Sequence, residues 1–128
     1  MFNGIIYNTG SVHSIVKTKK SLFIGIKSKL RFNHKEVGSS VCCDGICLTL
    51  VKIKKNIIYF YISNETLIRS NFKLLKKNKI INLEKSISYG QKISGHFTQG
   101  HVDTVAKIQY VKIICLLYTS PSPRDTRE

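Results

Sequence analysis

At 128 residues, 42% of them hydrophobic, the chain has room for one packed domain and is too apolar for general disorder. No apolar run approaches bilayer-spanning length, and the N-terminus lacks the basic-then-apolar pattern of a secretory signal, so a soluble cytoplasmic protein is expected. A formal charge of +14 invites nucleic acid as a partner. The lysines are scattered, however, and no aromatic-interleaved motif accompanies them. Abundant lysine, isoleucine and asparagine are also what an AT-rich genome produces, so the charge reads as solvated surface, with no nucleic-acid or membrane partner expected.

In chain order, Ile5 to Val16 carries apolar residues interrupted by Gly10, and Leu22, Ile24 and Ile26 alternate on one face of a second strand. Ser40 to Ile53 reads as a hairpin. Its turn is Asp44-Gly45, a pair suited to a type I′ turn because both central residues need positive φ. A second hairpin follows, with Lys54-Lys55-Asn56 as turn and Ile57 to Ile62 as return strand. Ser63 or Asn64 then caps a short helix through Ser70. Lys76 to Lys79 reads as a basic loop and Ile80 to Leu83 as a further strand. Short, closely spaced strands joined by turns predict an all-β fold, a small antiparallel barrel whose closure removes exposed edges.

Two features bear on boundaries. Phe97-Thr98-Gln99-Gly100-His101-Val102 and Val105 to Ile108 weakly echo Phe2-Asn3-Gly4-Ile5 and Val12 to Ile15, as though a tandem unit begins twice. After Cys115 the composition changes abruptly. Leu116 to Glu128 holds both prolines and contains no lysine, isoleucine or asparagine. The division expected is a first barrel over 1–94, the beginning of a second over 95–115, and a non-native tail over 116–128; a genuine Pro/Ser-rich terminus is the alternative for the tail.

Several segments together resemble one family. Met1-Phe2-Asn3-Gly4-Ile5-Ile6 is similar to its Met-Phe-Thr-Gly-Ile opening. Gly38-Ser39-Ser40-Val41 followed by Asp44-Gly45-Ile46-Cys47-Leu48-Thr49 is similar to its Gly-x-Ser-Val and Asn-Gly-x-Cys-Leu-Thr segment. Asn64-Glu65-Thr66-Leu67, Asn82-Leu83-Glu84 and Gly95 to Asp103 follow in the family order. These are motifs of riboflavin synthase of the alpha-chain type, and the match runs from Met1 to about Val105. Asn3 and Asp44 depart from the usual threonine and asparagine.

The resemblance implies two tandem six-stranded Greek-key barrels per full-length chain, this sequence covering the first and the start of the second. It implies an active site formed between barrels of different subunits, in a homotrimer for the full-length family, with a homodimer conceivable for this shorter span. Two molecules of 6,7-dimethyl-8-ribityllumazine would bind there, one donating a four-carbon unit to the other to give riboflavin and 5-amino-6-ribitylaminouracil. No metal or organic cofactor is implied, because the substrate ring serves as electrophile and, after losing a methyl proton, as nucleophile. With one barrel's pocket only, this chain is expected to bind lumazine or riboflavin and to be inactive alone. A non-catalytic flavin- or lumazine-binding protein is the second reading, and a basic nucleic-acid-binding barrel the third.

Particular residues fit that chemistry. By the two-residue strand period, Cys47 and Thr49 share one face while Ile46, Leu48 and Leu50 share the other, so a thiol and a hydroxyl face a ligand while the rest packs inward. A cysteine there is as readily a small buried hydrophobe; the resemblance favours the site. His101 is suited to moving a proton near neutral pH, although a histidine beside glycine is commonly a plain loop residue. Ser40 is a hydrogen-bond donor to the ring or to water. The catalytic candidates are thus Cys47, His101, Ser40 and Thr49. Carried over as binding surfaces are Phe2, Gly4, Ile5 and Ile6; Cys47, Leu48 and Thr49; Tyr61, Ile62, Ser63, Asn64, Glu65 and Thr66; and His96, Gly100, His101 and Val102. Cys42, Cys43, Cys47, His96 and His101 offer metal-ligand atoms, but neither Cys-x4-Cys nor His-x4-His is a usual structural-zinc spacing, and no metal is expected. Without a secretory signal, the four cysteines are expected to be reduced thiols.

Overall fold

Alternating apolar residues and tight turns build six antiparallel strands: β1 (Asn8–Lys17), β2 (Leu22–Ser28), β3 (Ser40–Cys43), β4 (Ile46–Lys54), β5 (Ile57–Ile62) and β6 (Ile80–Lys85). The computed structural model describes residues 1–88, 90–92, 95–114 and 117–119. The strands close into a barrel in the order β1-β2-β5-β4-β3-β6, with β6 returning to β1. A helix, α1 (Asn64–Arg69), follows β5. No helix among the described residues is long and apolar enough to cross a membrane.

The Asp44-Gly45 turn forms as expected, with φ of 49° and 83° at the two positions, both in the left-handed region that a type I′ turn requires. The second hairpin turns on Lys55-Asn56 alone, because Lys54 still pairs with Ile57 as the last residue of β4. At the N-terminus, Ile5, Ile6 and Tyr7 lie outside β1, although their apolar character suggested a strand starting there.

Two bulges reset the inward and outward alternation. In β1 the register slips between Val12 and Ser14, so Ile15 packs against the interior together with Val12. In β4 it slips between Leu50 and Lys52, which returns Ile53 to the interior side. Strict alternation would have pointed Ile15 and Ile53 at solvent.

The interior is a contiguous apolar cluster. Ile24, Phe60 and Leu50 lie side by side across β2, β5 and β4, and all three are fully buried. Val12, Ile26, Val41, Ile62, Ile81 and Leu83 fill the barrel around them, and Phe72 joins the cluster from the short 3-10 turn Phe72–Leu74.

The connection between β2 and β3 is pinned by charge as well as by packing. The 3-10 turn His34–Glu36 carries a capping box with Asn33, and Glu36 Oε1 accepts a hydrogen bond from Lys85 Nζ at 2.9 Å. Lys85 also lies over the Phe32 ring, 4.3 Å from its centre. Burial raises the Glu36 carboxyl pKa, but the Lys85 hydrogen bond and charge and the Asn33 backbone N–H outweigh it and hold it below its ordinary value. A lowered folded-state pKa means the contribution is present above the unfolded value and lost as pH falls through the folded one. Glu36→Gln is therefore expected to cost about 0.2–1 kcal/mol at neutral pH, and nothing in acid below the lowered pKa. Urea midpoints of the two chains measured across that range check this.

Beyond the barrel, 101–111 carries no regular element, and β7 (Lys112–Ile114) pairs with β8 (Leu117–Thr119) as a separate hairpin. The described residues build no second barrel. Cys115 and Leu116, and residues 120–128 of the expected non-native tail, lie outside the described residues.

Candidate functional site

Strand β4 places the site. Its inward residues Ile46, Leu48 and Leu50 are buried, and Cys47 and Thr49 face outward, as the two-residue period requires. Across β3, Ser40 stands opposite Thr49 and Cys42 opposite Cys47, so all four side chains lie on the outer face. Cys42 is nevertheless buried. Burial, with the neighbouring Glu84 charge next in weight, pushes its thiol up to about 11. Cys43 points into the core and its thiol is raised well above its ordinary value by desolvation.

The outer face is covered by two segments whose sequences weakly echo each other. Phe2 and Thr98 exchange backbone hydrogen bonds of 2.8 and 2.9 Å, so the two copies meet as an antiparallel bridge. Phe2 is fully buried, and the Glu84 carboxylate accepts from the N–H groups of Asn3 (2.6 Å) and Gly4 (3.1 Å). Past Thr98 the chain reaches β4, where Cys47 N–H donates to the Gly100 carbonyl at 2.9 Å. Gly100 has φ of +78°, and a Cβ on it would sit 2.9 Å from Cys47 N and 3.0 Å from Cys47 Cβ. Only glycine fits this close approach.

The third wall is α1. Ser63 caps it, its Oγ accepting from Thr66 N–H at 3.2 Å, which fixes where Glu65 and Thr66 project. Arg69, one turn on, reaches Glu65 at 3.2 Å and Asp103 at 4.0 Å, tying the helix to the returning segment. Between β4, α1 and that segment lies a cleft of about 440 Å³, lined by Ile46, Cys47, Glu65, Thr66, Arg69 and Gly100 to Asp103. Its size is that of a small-molecule pocket.

The cleft thus gathers Cys47, Glu65, Thr66, Gly100, His101 and Val102 from distant parts of the predicted set. Ser40 and Thr49 share the outer face with Cys47 but do not line the cleft. Leu48 and Ile62 point into the barrel and bear on a ligand only by supporting their outward neighbours. Phe2 anchors its segment from a buried position. Gly4, Ile5 and Ile6 lie elsewhere, and Ile5 lines a separate cavity of about 250 Å³ with Asn3, Tyr7 and Glu84. Tyr61 is on the outer face of β5, tilted against Phe23 with ring centres 4.6 Å apart. Ser63, Asn64 and His96 are exposed and line neither cavity. Ile46, Arg69 and Asp103 were not anticipated. The Glu65-Arg69 spacing of four on a helix is a local signal for the first contact, but nothing local announces Asp103. No cluster of three or more His, Cys, Asp or Glu side chains arranged to hold a metal occurs among the described residues.

Fold and site together are a six-stranded Greek-key barrel with a ligand-sized cleft on its outer wall. Residues 3–86 match the lumazine binding domain, and the chain belongs to that family. It is 35% identical over 122 residues to the riboflavin synthase of Chlamydia muridarum, covering 95% of this chain and 61% of that one. Against the riboflavin synthase of Bacillus subtilis the identity is 32% over 112 residues, covering 88% and 52%. The chain therefore spans between about half and three-fifths of the length of these curated relatives. Among solved structures, LumP complexed with flavin mononucleotide aligns with TM-score 0.71 and 25% identity, over 89% of this chain and 65% of that one. LumP complexed with riboflavin aligns with TM-score 0.72 at 24% identity, over 88% and 61%, a likeness of fold.

Proposed function

We propose that the cleft beside Cys47 binds the ring of 6,7-dimethyl-8-ribityllumazine or riboflavin, and that the chain supplies one ligand-binding half of a riboflavin synthase. The observation that carries this reading is the convergence of Cys47, Thr66 and Gly100 to Val102 on one pocket of ligand size. Gly100 lets the returning segment bond directly to β4, so that His101 and Val102 form a wall of the cleft against which a flat ring would lie. Thr66 and Glu65 offer polar partners to the ring edge and the ribityl hydroxyls. His101, exposed and lining the cleft, would orient the ring or take up its methyl proton. The names of the relatives support the reaction, and the ligands named with the LumP structures support the ligand class.

Four-carbon transfer requires two rings held face to face, so most of the acceleration must come from positioning. A single cleft holds one ring. The 128-residue chain is therefore expected to bind the lumazine without converting it. Incubating the chain with 6,7-dimethyl-8-ribityllumazine and following riboflavin absorbance tests this; steady turnover by the isolated chain would contradict the half-site account.

A further inference from the structure

The two thiols on the outer face, one at the cleft and one beside it, have a specific geometry. Cys42 and Cys47 are directly opposed across β3 and β4, with side chains on the same face. They are one step from the Cys43–Ile46 pair that closes the two-residue Asp44-Gly45 turn. Cys47 N–H points away from β3, to the Gly100 carbonyl. The opposed cysteines therefore form a non-hydrogen-bonded pair, the closer of the two antiparallel kinds, with Cα atoms roughly 4.5 Å apart. Disulfides span Cα separations of roughly 4.4–6.8 Å. Cys43 is excluded as the partner because it faces the interior, with Sγ toward the Val41 carbonyl at 3.9 Å.

We propose that Cys42 and Cys47 are a peroxide-sensitive thiol pair, which closes to a cross-strand disulfide and withdraws the Cys47 thiol from the cleft. Cys47 is only partly buried and borders the cleft, so it meets the oxidant first, whereas Cys42 is shielded. The Cys47 thiolate attacks one peroxide oxygen, the O–O bond breaks, and the departing hydroxide becomes water. The Cys42 sulfur then attacks the resulting sulfenic acid, expelling hydroxide, which leaves as water with the Cys42 proton. Two thiols lose two electrons, and one hydrogen peroxide gains them to give two waters. Turning the Cys47 sulfur toward β3 changes the wall against which the ring would lie. That consequence for ligand rests on the function proposed above; the bond itself does not.

The test treats the folded chain with hydrogen peroxide, blocks remaining thiols by alkylation and digests with trypsin. Residues 36–52 form one tryptic peptide holding Cys42, Cys43 and Cys47, and Cys115 falls on another. That peptide is expected to lose two hydrogens in the native chain, where it takes up a single alkyl group on Cys43, and in Cys43→Ala, where it takes up none, but not in Cys42→Ala. No such loss, or a loss abolished by Cys43→Ala and retained in Cys42→Ala, overturns the pairing. Riboflavin affinity is expected to fall about tenfold on oxidation and to recover with dithiothreitol. In Cys42→Ala, which keeps its affinity before treatment, Cys47 has no resolving thiol, so it proceeds to sulfinic acid and the loss becomes irreversible. A disulfide that forms without changing affinity overturns the gating. An untreated chain that binds no riboflavin refutes the function proposed above, while the peptide masses still decide the bond.

Discussion

Gly100→Val is expected to lower affinity for the lumazine or riboflavin by at least about tenfold, or about 1.4 kcal/mol, while the barrel stays folded. The added Cβ meets Cys47 N at 2.9 Å and Cys47 Cβ at 3.0 Å, atoms held by the β4 ladder that cannot swing aside. Valine also tolerates the positive φ poorly, at a cost of order 1–3 kcal/mol. The returning segment must lift, breaking the Cys47 N–H to Gly100 bond and carrying His101 and Val102 away from the wall. None of this touches the interior cluster of the barrel beyond the edge contact of Val102. Unchanged far-ultraviolet circular dichroism with a weakened fluorescence titration is the expected pair of results.

The largest effect on stability is expected at Phe60. Its ring is fully buried between Ile24 and Leu50 in the strands on either side, so Phe60→Ala removes a whole aromatic side chain and leaves a cavity that rigid strands cannot collapse to fill. The cost should be about 3–5 kcal/mol, a large share of the 5–15 kcal/mol typical of a small domain. Tyr61→Ala, one residue on but facing outward and tilted against Phe23, should cost about 1 kcal/mol or less. Urea unfolding of the two variants measures the difference. Equal midpoints would mean that the inward and outward assignment of β5 is wrong.

Local chemistry made much of the fold legible. Asp44-Gly45 announced its turn, Leu22-Ile24-Ile26 and Ile46-Leu48-Leu50 announced inward faces, and Ser63-Asn64 announced the helix start to within one residue, the cap being Ser63. What escaped was non-local. Ile5 to Tyr7 have strand-like side chains, but the Glu84 carboxylate holds the backbone just before them, at Asn3 and Gly4, and β1 begins later. The bulges in β1 and β4 break alternation at positions no local pattern marks. Cys42, outward by period, is buried because segments from both ends of the described chain close over that face.

The site was legible to a similar degree. Cys47, Thr66 and Gly100 to Val102, candidates on sequence grounds, line one cleft. The glycine follows from the Cβ it excludes. Arg69 and Asp103 were missed because their contact joins a helix to a segment more than thirty residues away, which no spacing rule encodes. Ser40 and Thr49 keep the predicted face but stand two residues along from the Cys42–Cys47 pair, beyond the cleft.

Titrating the folded chain into 6,7-dimethyl-8-ribityllumazine while following the ligand's own fluorescence addresses the binding claim without any assumption about turnover. A saturable, stoichiometric change, weakened when Thr66 is replaced by a bulky residue, is the predicted result. A flat titration with a sample whose circular dichroism reports an intact barrel would contradict it.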